Sequence, residues 1–323
     1  MAEFKTIKGR TGLLRLRCNC LPVYELDKKE WVLMDSGSAW DREELKDFLE
    51  EAGIQVRAVL TSHAHFDHVG NHRFLQEKYG ARLWMAALDA GMTRDYTALK
   101  ACFYSLPAGQ IRRMYPEMQV RADEILFPGQ NRVAVLGEAF EIIELPGHSA
   151  VHLGFSTPDG IWYLGDAFQG EKERANEKLF YMLCWKEALE TVEGLWRQGP
   201  AQCILSHGGW VLDTAAEAQG ALRDYRDRLR RFEALAGDGS SLEEITAAVA
   251  AGFGVWTRTE RKARLMERIV RAMMEYLTET GRYEAFPDGG VIRYKKTKIE
   301  TGEMRYENFG MRETGSGYNG NQD

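Results

Sequence analysis

Short apolar runs recur through the first two-thirds of the chain, and each ends at a turn that carries a polar residue. Runs of this length between turns are typical of buried β-strands, whereas the longer amphipathic stretches that separate some of them are typical of helices. The apolar runs are residues 31–33, 56–60, 140–147, 161–165 and 201–206. Their alternation with helical stretches up to residue 207 predicts one layered α/β domain.

The pattern changes after residue 207, where charged and apolar residues alternate at helical spacing. Residues 215–235 predict a long helix, and the glycines at 237 and 239 end it. Ser241 and Glu244 form a capping-box motif that predicts the start of a second helix. A third helix is predicted over 261–280, with Gly281 as its C-cap, and residues 283–294 predict a β-hairpin. These elements indicate a separate, mostly helical C-terminal module over 215–300.

Four metal-ligand side chains fall within six positions in the segment Thr-Ser-His-Ala-His-Phe-Asp-His-Val-Gly at residues 61–70. An extended chain directs alternate residues to the same side, so His63 and His65 can bind one ion while Asp67 and His68 face a second. Neutral imidazole and carboxylate groups are common ligands of divalent cations. A helix-capping surface loop would not require four such residues at this spacing.

Three further ligand-type residues follow apolar runs elsewhere in the chain. His148, Asp166 and His207 each lie where a predicted strand meets a turn. Side chains at the ends of neighbouring strands converge in space, so these residues can complete a site with the histidine-rich segment. His72 and His152 lie four residues beyond proposed ligands, and we interpret them as packing residues that support the site.

These blocks, in this order and at these separations, resemble the metallo-β-lactamase superfamily. The resemblance rests on His63-x-His65-x-Asp67-His68, on Pro146-Gly-His148-Ser, on Gly165-Asp166 and on Ser206-His207-Gly-Gly. Asp35, after the run at 31–33, resembles the aspartate that ends an early strand of the family. The resemblance implies a four-layer αβ/βα sandwich over residues 1–214, with a metal site at the open edge between two β-sheets. It also implies that the C-terminal module is similar to a winged helix.

The resemblance also implies how the ligands divide between two metal ions. One ion would be held by His63, His65 and His148, the other by Asp67, His68 and His207, and Asp166 would bridge them. Zinc is the expected metal, although manganese and iron accept the same mixed ligand set. Asp67 has a second expected role as a catalytic residue, since a carboxylate beside the nucleophile can orient it or accept its proton.

Two segments interrupt the strand pattern. Residues 88–127 are rich in Met, Tyr and Phe and contain two prolines, which predicts short helices rather than a strand of the sandwich. We expect this insertion to cap the metals, or simply to pack onto the domain. Residues 168–181 are highly charged between Glu171 and Arg174, and we expect a mobile, solvated loop there.

The composition of the chain limits the partners and cellular locations that we expect for the protein. The chain has 323 residues, 44% of them hydrophobic, and a net charge of −6, which gives no general reason to expect nucleic-acid binding. The five cysteines are an odd number, and the polar N-terminus does not resemble a signal peptide, so a cytoplasmic protein with reduced thiols is expected. No apolar stretch is long enough to cross a bilayer, which excludes a membrane-spanning role.

The sequence therefore predicts a dinuclear-metal-dependent hydrolase that uses metal-bound hydroxide. The expected substrate is a small molecule with an ester, thioester, lactone or lactam group. One alternative is a metal-dependent endoribonuclease, and another is an iron-dependent redox enzyme of the same fold. The complete ligand set argues against a non-catalytic relative.

The C-terminal module leaves the question of partners open. Basic residues on its last helix and after its hairpin could bind phosphates of a nucleic acid, although glutamates interspersed among them favour a solvated face. The module could also shape the substrate pocket or support a homodimer. These basic residues are Arg264, Arg268, Arg271, Arg293, Lys295, Lys296 and Lys298. Residues 301–323 have little to bury and predict a disordered tail.

Overall fold

Two β-sheets pack face to face in the structure, a computed structural model that describes residues 2–102 and 106–297. Lys298 and the predicted tail at 301–323 lie outside the described residues. Side chains from both sheets, including Tyr24, Val32, Phe140 and Phe155, form one buried hydrophobic cluster between them. This cluster is the centre of the sandwich, and the ligand-type residues lie at its edge.

The first sheet contains seven strands in chain order. Its strands are β1 (Glu3–Lys8), β2 (Thr11–Arg15), β3 (Cys20–Asp27), β4 (Glu30–Met34), β5 (Gln55–Leu60), β6 (Arg82–Ala86) and β7 (Glu124–Leu126). Strands β4 to β7 are parallel, and Met34 pairs with Leu60. Parallel pairing brings the residues after β4 and β5 to the same edge of the sheet, which is where Asp35 and the histidine-rich segment follow.

The second sheet contains six strands in the order β13-β12-β11-β10-β9-β8. Its strands are β8 (Arg132–Val135), β9 (Glu138–Glu144), β10 (Leu153–Ser156), β11 (Trp162–Tyr163), β12 (Cys203–Leu205) and β13 (Gly209–Val211). Strands β11 and β12 are parallel, so Asp166 and His207 follow strands that end at one edge.

Helices cover the outer face of each sheet. Leu45, Leu49 and Leu75 of the first helices join Leu33 and Val59 of the first sheet in a second hydrophobic cluster. On the opposite side, the helices Trp185–Gln198 and Thr214–Leu235 cover the second sheet. The helices up to this point are α1 (Arg42–Ala52), α2 (His72–Tyr79), α3 (Ala87–Thr93), α4 (Tyr96–Cys102), α5 (Ala108–Met114), α6 (Glu171–Asn176) and α7 (Trp185–Gln198). The layers are helix, sheet, sheet, helix, as predicted.

The C-terminal elements form three helices and a small sheet. They are α8 (Thr214–Leu235), β14 (Ser240–Ser241), α9 (Leu242–Phe253), α10 (Glu260–Glu279), β15 (Tyr283–Asp288) and β16 (Val291–Lys296). The capping box of Ser241 and Glu244 is present at the start of α9, and Gly281 follows α10 with a φ of 70°. Among the described residues, no helix has the length and apolarity that a membrane span requires.

The structure corrects two expectations about the inserted segments. The region 168–181 is not a solvated loop, because it contains α6 and its Phe168 and Phe180 are buried. The insertion at 88–127 does contain short helices, but it also contributes the strand β7, which pairs with β6 at the edge of the first sheet. The helical part packs Met92, Ile111 and Met118 into the cluster beneath the first sheet.

Candidate metal centre

Seven ligand-type side chains meet at one edge of the sandwich. His63, His65, Asp67 and His68 follow β5, whereas the other three come from the second sheet. His148 lies between β9 and β10, Asp166 follows β11 and His207 follows β12. The strand ends therefore bring together all seven residues that the sequence singles out.

Three histidine nitrogens converge in one group. The Nε2 atom of His63 lies 2.8 Å from Nδ1 of His65, which lies 3.0 Å from Nε2 of His148. Burial lowers the pKa of His63 and of His65 well below the ordinary value, and it lowers the pKa of His148 as well. Converging uncharged imidazoles present lone pairs to the same point, which is the arrangement that a divalent cation requires.

A second group contains Asp67, His68 and His207. The Nε2 atom of His207 lies 3.2 Å from Oδ2 of Asp67, and Nε2 of His68 lies 3.9 Å from the same oxygen. Asp166 lies between the two groups, because its Oδ2 is 3.4 Å from Nε2 of His68 and 3.4 Å from Nε2 of His148. One carboxylate can therefore contact ions in both groups.

The charges in the second group oppose the effect of burial. Burial alone would lower the pKa of His207, but Asp166 and Asp67 raise it to about 9. Burial alone would raise the pKa of Asp67, but His68 and His207 lower it to about 2. The carboxylates therefore carry negative charge at neutral pH, and a divalent cation would be attracted to them in place of the protons.

Two buried polar atoms support the fit of metal ions to this site. Among the described residues, neither Nε2 of His68 nor Oδ1 of Asp166 has a hydrogen-bond partner. Buried polar atoms are nearly always paired, so atoms of this kind at the centre of a ligand cluster indicate a partner other than a protein group. The nitrogen and oxygen donors also suit zinc, which prefers this mixture.

Asp35 holds His68 from outside the ligand groups. Its Oδ2 accepts hydrogen bonds from Nδ1 of His68 at 2.7 Å and from the hydroxyls of Ser62 and Tyr163 at 2.6 Å each. The Ser62 N–H donates to the other carboxylate oxygen at 2.7 Å. Because Nδ1 of His68 donates to this carboxylate, Nε2 is the nitrogen that is left to bind a metal.

His72 and His152 lie beside the ligand groups rather than in them. The two nitrogens of His72 are 2.7 Å from the Ser36 hydroxyl and 2.8 Å from the Thr61 hydroxyl. The Nε2 atom of His152 accepts the backbone N–H of Asp166 at 3.0 Å. His152 thereby fixes the backbone of the carboxylate that lies between the two groups.

Tyr181 also borders the centre. Its ring centroid lies 5.7 Å from that of His65 and 5.6 Å from that of His148. Arg268 of α10 donates a hydrogen bond of 2.5 Å to the Tyr181 hydroxyl. Neither the Tyr181–Arg268 pair nor the Tyr163–Asp35 bond has a local sequence signal, because the partners are 87 and 128 residues apart.

A sequence profile described as the metallo-beta-lactamase superfamily matches residues 15–237, which is more than half of the chain. The chain belongs to this superfamily. Its membership, its similarity to a named hydrolase and its cluster of ligand-type residues identify the chain as a metal-dependent hydrolase.

The curated relatives of this chain include proteins named hydroxyacylglutathione hydrolase. The chain is 30% identical over 155 residues to a hydroxyacylglutathione hydrolase of Haemophilus influenzae, an alignment that covers 47% of this chain and 68% of the relative. It is 24% identical to a hydroxyacylglutathione hydrolase of Albidiferax ferrireducens, where the alignment covers 41% of this chain and only 40% of the relative.

Solved structures of the superfamily share the fold over nearly the whole chain. A metallo-beta-lactamase family protein from Thermus thermophilus superposes with a TM-score of 0.67 at 20% identity, covering 92% of this chain and 98% of that protein. A beta-lactamase domain protein from Burkholderia ambifaria superposes with a TM-score of 0.65 at 19% identity, covering 91% and 94%. These similarities include the C-terminal elements, since the matched region extends beyond residue 237.

Proposed function

We propose that this chain hydrolyses thioesters at a dinuclear zinc centre. The observation that carries the proposal is the position of Asp166, whose Oδ2 lies 3.4 Å from a histidine of each ligand group. The names of the curated relatives support the thioester, since hydroxyacylglutathione is a thioester and its carbonyl is attacked by water.

The reaction breaks the C–S bond and forms a C–O bond to water. Two divalent cations supply Lewis-acid polarisation of the carbonyl and lower the pKa of water. His63, His65 and His148 would hold one ion, Asp67, His68 and His207 the other, and Asp166 would bind both. Of the two protons of water, one stays on the carboxylic acid product and one reaches the departing thiolate.

Asp67 is the residue of this chain that can move the proton. Its side chain is 21% exposed to solvent, whereas the side chain of Asp166 is 8% exposed. We assign to Asp67 the role of orienting the attacking water and accepting its proton, because an ionised carboxylate at the edge of the ligand cluster can reach a water molecule. Asp35 and His152 position His68 and Asp166 for metal binding.

Metal analysis of purified variants tests the dinuclear centre. The unmodified chain should contain about two equivalents of zinc, since two ligand groups are present. Asp166→Ala should lose both ions and thioester hydrolysis. His72→Ala is the matched control and should keep most of its metal, because His72 bonds to hydroxyls rather than to a ligand atom.

A substrate panel tests the chemistry. Acyl thioesters, lactones, a cephalosporin and single-stranded RNA should be compared at equal concentration with the metal-loaded protein. The proposal requires that thioesters be hydrolysed and that Asp67→Asn retain metal better than it retains turnover. Efficient hydrolysis of only a lactone or lactam, or of only RNA, would contradict it.

A further inference from the structure

Aromatic side chains form a continuous row on one side of the metal centre. The Trp40 ring lies 5.7 Å from the Phe66 ring, and Phe66 lies 5.3 Å from Tyr115. Phe66 stands between His65 and Asp67 in the sequence and packs against the cluster beneath the first sheet, so the row is joined to the ligand segment through the backbone. Trp40 is 63% exposed, which is unusual for the largest apolar side chain.

Helix α10 spans from this row to the other side of the centre. Arg261 donates a hydrogen bond of 3.1 Å to the Tyr115 hydroxyl, and Arg268 donates one of 2.5 Å to the Tyr181 hydroxyl. The two arginines are seven residues apart and therefore lie on one face of the helix, about 10 Å apart along its axis. Leu265 lies on the same face between them and is 45% exposed. We call Trp40, Phe66, Tyr115, Arg261 and Arg268 the rim.

The rim combines two kinds of recognition in one place. An exposed tryptophan offers a flat surface on which an aromatic ring can stack. A guanidinium group matches the geometry of phosphate oxygens, and its five N–H donors allow it to bond to a tyrosine and to a phosphate together. A ligand that uses both must carry a ring and an anionic group.

We propose that the rim binds the thiol portion of the substrate, and that this portion contains a phosphate and a flat aromatic ring, as in a nucleotide-bearing thiol. This inference rests on the proposed thioester hydrolysis, because the carbonyl must reach the metal centre while the thiol portion extends along the rim. Trp40 stacks on the ring, and Arg261 and Arg268 bind the phosphate.

The remaining charges on α10 favour a single nucleotide over a nucleic-acid chain. Arg264 pairs with Glu260 at 3.8 Å and with Glu267 at 3.5 Å, and Arg271 also pairs with Glu267 at 3.5 Å. These glutamates would repel successive phosphates of a polymer. Arg261 and Arg268 each donate a hydrogen bond to a tyrosine hydroxyl.

Acetyl thioesters of four thiols test the inference on the metal-loaded, full-length chain. Coenzyme A carries phosphate and adenine, phosphopantetheine carries phosphate alone, glutathione carries carboxylates, and N-acetylcysteamine carries neither group. We expect the highest kcat/KM with acetyl-coenzyme A. Trp40→Ala should lower that value about ten-fold through KM, a loss typical of one stacked base, and leave the other three substrates unchanged. Arg261→Gln should lower kcat/KM for both phosphorylated substrates.

Matched controls are available for both residue types. Leu212 is 64% exposed, like Trp40, but follows β13, which is antiparallel to β12 and ends away from the edge that carries His207, so Leu212→Ala should change none of the four values. Arg271→Ala removes a glutamate-paired arginine from the same helix and should also have no effect. Equal turnover of acetyl-glutathione and acetyl-coenzyme A, or an equal effect of Trp40→Ala on all four substrates, would overturn the inference.

A binding measurement separates this inference from the proposed function. Adenosine 3′,5′-bisphosphate carries the ring and phosphates without a thioester, and its Kd can be measured by calorimetry. If no thioester is hydrolysed, the proposed function fails, yet binding that is weakened about ten-fold by Trp40→Ala and not by Leu212→Ala would still support the rim. Absence of binding at millimolar concentration, or Trp40-dependent cleavage of single-stranded RNA without thioester turnover, would overturn it.

Discussion

Asp35 connects three parts of the chain at the scale of single residues. Its carboxylate accepts hydrogen bonds from Ser62, His68 and Tyr163, and it is fully buried. Its φ of 62° is rare for a residue other than glycine and directs the carboxylate from the end of β4 toward the histidines. Backbone strain of this kind is tolerated where the surrounding hydrogen bonds compensate for it.

Asp35→Asn should weaken metal binding. In this variant an amide N–H group replaces the carboxylate oxygen that accepts the Nδ1 proton of His68. Two donors would then face each other, so His68 would lose its orientation. Loss of such a partner typically reduces metal affinity about ten- to one-hundred-fold. A chelator competition titration measures the change. Tyr163→Phe removes one donor but keeps the carboxylate, and a loss as large as that of Asp35→Asn would contradict this account.

His72 should make the metal-free protein less stable in acid. Burial lowers its pKa from 6.5 to about 4, so the folded state keeps it neutral while the unfolded chain binds a proton below pH 6.5. The contribution of His72 to the free energy of unfolding is therefore fully present above the unfolded pKa. It falls as the pH drops toward the folded pKa, by up to about 3 kcal/mol. Urea unfolding in the presence of chelator measures this slope.

The control for His72 is His72→Gln, which does not titrate but can still bond to Ser36 and Thr61. Other buried histidines titrate equally in both proteins, so the difference between their slopes belongs to His72. Between the folded and unfolded pKa values of His72, unfolding of the unmodified protein should take up about one more proton than unfolding of the variant. Identical slopes would show that His72 is not held neutral in the folded state.

At the scale of elements, α6 shows why a charged segment can be ordered. Arg174 is only 3% exposed and bonds to Glu217 at 2.6 Å and to Asp224 at 2.8 Å, both on α8. These ion pairs attach α6 to α8, and Phe168 and Phe180 are buried on either side of it. The segment after Asp166 is therefore fixed to the helical layer.

Arg174→Ala should destabilise the fold by about 2–3 kcal/mol, because it removes a buried side chain that pairs with Glu217, which is 21% exposed, and with the more exposed Asp224. Chemical denaturation followed by circular dichroism measures the loss. Arg223→Ala, at an exposed position of α8 that bonds to Gln219, is the control and should change stability by less than about 0.5 kcal/mol. Equal effects of the two changes would mean that the ion pairs of Arg174 contribute nothing specific.

At the scale of the whole molecule, one hydrophobic cluster joins the second sheet to the C-terminal elements. It includes Leu164 and Leu205, which lie two residues before Asp166 and His207, together with Tyr225 of α8 and Leu277 of α10. The division that we propose at residue 214 therefore separates two topological units that share a core. Such units should unfold together.

Leu277→Ala tests this coupling. Removing a fully buried leucine from α10 should cost about 2–5 kcal/mol and should lower the unfolding midpoints reported by circular dichroism and by tryptophan fluorescence to the same extent. Val291→Ala, at a 42% exposed position of β16, should leave both midpoints nearly unchanged. Two separate transitions in either protein would show that the C-terminal elements unfold independently.

The sequence predicted most elements because local signals identify them. The capping box at Ser241, the glycine at 281 and the apolar runs before the ligands each mark an element boundary that the structure contains. The sequence did not predict α6 or β7, because the contacts that stabilise them join residues far apart along the chain. Arg174 is buried only because α8 supplies carboxylates 43 and 50 residues away, and β7 is a strand because β6 pairs with it.

The sequence by itself determined the superfamily and the seven ligand-type residues, because strand-end histidines and aspartates at short spacing carry a strong local pattern. Only the tertiary structure decided what surrounds them. The hydrogen bonds from Tyr163 to Asp35 and from Arg268 to Tyr181 join residues 128 and 87 positions apart. Contacts of this kind depend on how sheets and helices pack against one another, and no spacing along the chain records that packing.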